Sequence, residues 1–265
     1  MFLRDLKAVY KDSWTFALAC PALFAIPLVV EFVQHVVEIQ AGMYAGKTGA
    51  MAAEGDPLRM QFGFIKVLAI MLPGYWVTRF ILFGRDARRA GRIEMPAFAL
   101  WLVTFAIMAF NAWLGLFGPS LADLIGIGDS LSPWFQSVTF VIETAITIYL
   151  AAWFVAWSVG NSKIGPITSV GIMHGSFWHA LGLYVGAFLP LMIVHYALAI
   201  IAVLILPPAL DWVAMAVDSV IVAFLAASMA GATAYGAKRA AARKVRHLLP
   251  DQREDAATLG KKSPL

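Results

Sequence analysis

The chain has 265 residues, 61% hydrophobic and 14% charged, with a net charge of +4 and a mean hydropathy of +0.77. A soluble domain is nearer half apolar and a quarter charged, and here the apolar residues gather in runs of about twenty or more, the length that spans a hydrocarbon core. The composition excludes a soluble catalytic domain, and the single cysteine, Cys20, excludes an intrachain disulfide and any multi-cysteine metal site.

Residues 1–13 place Phe2, Leu3, Leu6, Val9 and Tyr10 at near-helical intervals among charges, the pattern of a short amphipathic helix lying on a leaflet. Arg4, Lys7 and Lys11 resemble a secretory n-region, but the apolar run before Cys20 is very short and continues to Val37, so the stretch reads as a mature span. That first span covers Trp14 to Val37, with Pro21 and Pro27 expected to kink it. A glycine-containing connection over 40–61 leads to a second span, Phe62 to Phe83, which contains Pro73-Gly74 and ends in an Arg79 placed to snorkel. Pro96 opens the third span at a favoured first-turn position, and it runs to Phe117. Ser132-Pro133 opens the fourth, to Val159. After the turn Asn161 to Pro166, residues 167–178 form a short interfacial helix, and the fifth span runs from His179 to Leu206 with Pro190 inside. Pro207-Pro208 breaks it, Asp211 is placed to cap the sixth span, and that span ends near Gly236. The expected fold is all-α: an amphipathic segment (1–13), a six-helix transmembrane domain (14–236) and a tail (237–265), basic at first and disordered over its last dozen residues.

The short loop Gly84 to Arg92 carries Arg85, Arg88, Arg89 and Arg92, and such loops stay on the cytoplasmic side. With that side assigned, 16 of the 20 Lys and Arg fall on it together with both termini, and only Lys47 and Arg59 fall on the other. Both termini are therefore expected in the cytoplasm. The basic residues flank apolar runs instead of covering a soluble face, so membrane lipids are expected partners and nucleic acid is not.

Ionisable residues within spans are costly and face the bundle interior or a partner. Here they are Glu31 and His35, four apart on one helix face, with Glu143, His195 and Asp218, all in the outer half of the bilayer. If their helices face one another they form a carboxylate–histidine cluster, to be read as a proton relay or metal site, or as structural hydrogen bonds that hold helices in register. No HExxH or Cys/His knuckle is present, so no metal and no cofactor is assigned. Arg85, Arg88, Arg89, Arg92, Trp178 and His179 are candidate lipid headgroup contacts. Gly182 and Gly186 form a GxxxG face for close helix packing within the bundle, or for a membrane partner or second copy. There is no Walker A, no GxSxG and no Rossmann glycine pattern, and the spans show no inverted repeat of the transporter kind.

Lys11-Asp12-Ser13-Trp14, the basic loop after the second span, and Ser169 to Trp178 leading from a Pro-centred turn into a span together resemble the bacterial inner-membrane proteins of the YciC type. These are similar to the membrane domain appended to some glycerophosphodiester phosphodiesterases. The resemblance implies a polytopic protein of the bacterial inner membrane and imports no catalytic residue. The expected function is that of a non-enzymatic membrane protein acting through lipid or protein contacts, in envelope maintenance or as an accessory subunit. The alternatives are a transporter or proton-coupled permease using the intramembrane cluster, and a membrane-embedded metalloenzyme.

Overall fold

The computed structural model describes residues 1–119, 121–126 and 131–250. Among the described residues the chain is all-helical. The helices are α1 (Phe2–Ala19), α2 (Pro21–Gln40), α3 (Gly46–Ala53), α4 (Pro57–Met71), α5 (Gly74–Leu82), α6 (Ala87–Gly91), α7 (Met95–Phe117), α8 (Leu121–Leu124), α9 (Ser132–Ser158), α10 (Pro166–Met173), α11 (Phe177–Leu204) and α12 (Pro208–Arg243). Six stretches are long and apolar enough to cross a membrane: α2, α4 continued by α5, α7, α9 from Trp134, α11 and α12.

The spans lie where hydropathy places them, but local chemistry moves their ends. The expected first span is cut in two. α1 stops at Ala19, Cys20 takes a non-helical φ of −132°, and Pro21 starts α2. A residue before proline is pushed out of the helical region, whereas proline at a first turn loses no hydrogen bond. Pro21 therefore begins a helix instead of kinking one, and the amphipathic segment extends over 18 residues. Burial at this junction pushes the Cys20 thiol pKa up, which makes it a poor nucleophile.

α12 is 36 residues long, about 54 Å at the helical rise. It continues past the expected end at Gly236 and packs against α1, α2, α4, α5, α9, α10 and α11. Asp211 does not cap it: Pro207 holds that position and Asp211 lies buried in the first turn. The chain then turns back, and the Asn161 side-chain amide donates to the carbonyls of His247 (3.3 Å) and Leu248 (3.1 Å). The described part of the expected tail is thus folded against the α9–α10 connection. The dozen residues expected to be disordered lie outside the described residues. The expected interfacial helix is α10, and its buried Ser169 donates to the Tyr149 carbonyl at 2.8 Å, pinning it to α9.

The GxxxG face is occupied from within the chain. A Cβ on Gly182 would stand 3.0 Å from the Phe2 ring, and one on Gly186 3.0 Å from Leu6. The glycines therefore seat α1, a close packing of helices within the bundle. Pro190 has no N–H for the Gly186 carbonyl one turn earlier, and Tyr10 supplies the missing donor through its hydroxyl at 2.7 Å. Ion pairs complete the attachment. Asp12 is buried and receives Arg85 Nε and the Tyr235 hydroxyl, each at 2.7 Å, while Arg239 reaches Asp5 at 3.3 Å. α1, the C-terminal part of α12 and the basic loop consequently meet at one end of the bundle.

Replacing Tyr10 by Phe should cost about 1 kcal/mol by orphaning a carbonyl, and Gly186→Leu about 1–3 kcal/mol by overpacking. Limited trypsinolysis at the exposed Lys7 and Lys11 reads the loosening of α1 directly, and unchanged cleavage in both variants would contradict this seating.

Candidate functional site

On α2 the residues Glu31, Gln34, His35 and Glu38 recur three and four apart, so they share one helix face. That face is turned into the bundle and all four are buried, Glu31 completely. His35 is the hub. Its Nε2 lies 2.9 Å from Asp218 Oδ2 on α12 and 3.4 Å from Glu31 Oε1. Its Nδ1 lies 3.0 Å from Glu38 Oε2 and 3.1 Å from the Tyr44 hydroxyl. From α11, His195 Nδ1 reaches both oxygens of Asp218 at 2.8 Å. Asp218 thus bridges two imidazoles.

The remaining members close the cluster. Lys66 on α4 reaches Glu31 Oε1 at 2.9 Å. Glu38 accepts from the Tyr44 hydroxyl at 2.9 Å and from Gln34 Nε2 at 3.1 Å, and is ion-paired with Arg59, whose Nε lies 3.4 Å away. Burial, and after it the Glu38 carboxylate, push the Tyr44 pKa far up, so that hydroxyl stays protonated and remains a donor. Tyr44 belongs to the connection over 40–61, which folds back over this end of the bundle: α3 packs on α11, and Tyr44 packs with Ile39 and Leu206 against buried Ala202, Ala214 and Met215.

Three carboxylates, Glu31, Glu38 and Asp218, face the two fixed cations Lys66 and Arg59. The imidazoles stand where further positive charge balances the group. Isolated charges in such surroundings would be expensive, so the cluster is stable only as a unit.

Beside it lies a cavity of about 500 Å³ with Lys66 and His195 in its wall. Its lining continues along α11 to Tyr184 and along α12 to Thr233, with Thr78 and Thr104 opposite. From His195 to Tyr184 is about 16 Å of helix. The cavity therefore leads from the cluster toward the end where α1 meets the C-terminal part of α12.

Of the five intramembrane ionisable residues named from the sequence, Glu31, His35, His195 and Asp218 meet. Glu143 does not. It sits exposed on α9, whose buried face begins only at Ile148, so at this level the helix stands clear of the bundle. Sequence reading missed Gln34, Glu38, Tyr44, Arg59 and Lys66. The available signals were the three- and four-residue spacing of Glu38 from His35 and Gln34, and a lysine inside an apolar run, which requires a partner.

The six expected headgroup contacts divide. Arg85 is paired with Asp12, Arg89 lies over the Phe83 ring at 3.9 Å, and His179 faces Asp5 at 3.2 Å, so these serve the fold. Arg88, Arg92 and Trp178 are exposed. Arg79 does not snorkel. It is fully buried, donates to the Ser158 carbonyl at 3.2 Å and the Arg89 carbonyl at 3.3 Å, and pairs with Glu94 at 2.7 Å.

No family model, curated protein or solved structure matches this chain. The functional reading rests on the site itself.

Proposed function

We propose that this chain is a membrane permease that takes a small cation into the buried carboxylate–histidine cluster. The carrying observation is the buried Asp218 bridging His35 and His195, with His195 also forming the wall of a cavity that runs along the bundle. A cluster built only to hold helices in register has no need of a cavity at its flank. Here one imidazole faces the cavity and the other faces Glu31 and Glu38, so a cation entering from the cavity meets His195 and Asp218 first. The distribution of Lys and Arg supports an orientation with both termini in the cytoplasm. The likeness to YciC-type proteins supports the bacterial inner membrane.

Purified protein in liposomes, given imposed gradients of proton, sodium or zinc in turn, tests the reading. At least one gradient should dissipate about tenfold faster with the wild type than with Asp218→Asn, the size expected when about 1.4 kcal/mol of site interaction is lost. Equal rates in wild-type, variant and protein-free vesicles for all three gradients would overturn it.

A second reading, contact with anionic lipid, is favoured by the exposed Arg88, Arg92 and Trp178. It concerns a different surface, and the two roles are compatible.

A further inference from the structure

We propose that Glu31, His35, Asp218 and His195 form a binding site for one divalent transition-metal ion of the zinc or manganese kind. The inference deepens the permease reading by naming its cation, while metal binding itself is measurable without transport.

Geometry comes first. Glu31, His35 and Asp218 each offer a ligand atom, all buried, and these atoms lie within 4.8 Å of one another. His195 stands outside that group of three and is a further imidazole 2.8 Å from Asp218. The gathered donors are one imidazole and two carboxylates from two helices, with the His195 imidazole beside them on a third, and no sulfur. That mixture suits zinc, manganese or ferrous iron and disfavours soft monovalent copper.

The lone pairs point the same way. With Nδ1–H donated to Glu38, His35 aims Nε2 toward Glu31 Oε1 and Asp218 Oδ2, at 3.4 and 2.9 Å; without an ion this nitrogen donates to Asp218, and with one its lone pair would be the ligand. A metal ion there would take the place of the Nε2 proton between the imidazole and the two carboxylates. Glu31 gives an independent sign: its side chain is completely buried, Lys66 engages only Oε1, and Oε2 has no partner. An orphaned carboxylate oxygen in the interior is costly, and a metal ligand is the role that satisfies it.

The surroundings of His35 are those of a metal ligand. Metal-bound imidazole nearly always donates its other N–H to a carboxylate or carbonyl, which orients the ring. Glu38 does this for His35, and Gln34, Tyr44 and Arg59 hold Glu38 in turn. Charge is consistent as well. With both imidazoles neutral, the three carboxylates exceed Lys66 and Arg59 by one negative charge, which a divalent ion more than offsets.

The test is zinc and manganese binding to the chelator-stripped full-length protein in detergent, by isothermal titration calorimetry with elemental analysis. One ion per chain is expected. His35→Gln and Asp218→Asn should each weaken binding by about 100-fold or more, and Glu143→Gln should leave it unchanged. X-ray absorption at the zinc edge on the wild type removes dependence on the variants' folding: two imidazoles and oxygen ligands at about 2.0–2.2 Å support the site. Absence of saturable binding, binding unchanged by both variants, or a first shell without imidazole overturns it. Stoichiometric binding without zinc flux upholds the site and rejects zinc as the transported ion. Proton or sodium flux without metal binding rejects the site and leaves the permease reading standing.

Discussion

Asp218→Ala should lower stability in detergent by about 3–5 kcal/mol, the cost of breaking a buried charge network by removing one member. The residue is 1% exposed and accepts from imidazoles on two other helices, so alanine leaves His35 and His195 facing a void. Glu31 and Glu38 would then crowd the His35 ring without the carboxylate that draws it toward α12. Asp218→Asn keeps the shape and one acceptor, and should cost less, about 1–3 kcal/mol. The protein carries its own reporter: Cys20 is its only cysteine and is buried, so labelling by a thiol-reactive dye on heating follows global unfolding. If Asp218→Ala and Asp218→Asn melted together with the wild type, the cluster would not be holding α2, α11 and α12.

Arg79→Ala should cost a similar amount, about 3–5 kcal/mol, at the opposite end of the bundle. A fully buried guanidinium there ties the end of α9, through the Ser158 carbonyl, to α6, through the Arg89 carbonyl, and to Glu94 before α7. Its charge also lies 5.0 Å from the Tyr75 ring centre and 4.9 Å from that of Phe83. Arg79→Lys should recover less than half of the loss, because an ammonium keeps the charge but cannot serve two carbonyls and a carboxylate from one planar fork. The Cys20 labelling assay separates the three proteins. Full rescue by lysine would show that charge alone matters at this position.

The six spans were legible because hydropathy is a property of contiguous sequence and needs no knowledge of neighbours. The carboxylate–histidine cluster was legible in part for a similar reason: Glu31, His35, His195 and Asp218 lie at one depth when counted from their helix ends. Depth carries no information about azimuth. Glu143 shares the depth, yet it lies where α9 stands clear of the bundle. Glu38 was lost when the span was ended at Val37, Lys66 when it was assigned to a span end, and Tyr44 because a loop residue gives no periodic signal. The break at Cys20 was misread because Pro21 suits a kink within one helix and the first turn of another equally well, and only the tertiary path decides.

The seating of α1 has a consequence for how the protein is made. α1 is synthesised long before the residues that hold it: Tyr10 waits for Gly186, Asp12 for Tyr235 and Asp5 for Arg239, at separations of 176, 223 and 234 residues. During synthesis α1 has only the membrane surface to rest on, which its amphipathic pattern suits. The attachment is complete only when α12 arrives, so a nascent chain truncated before α12 keeps the seat on α11 but lacks the ties that Tyr235 and Arg239 give to Asp12 and Asp5.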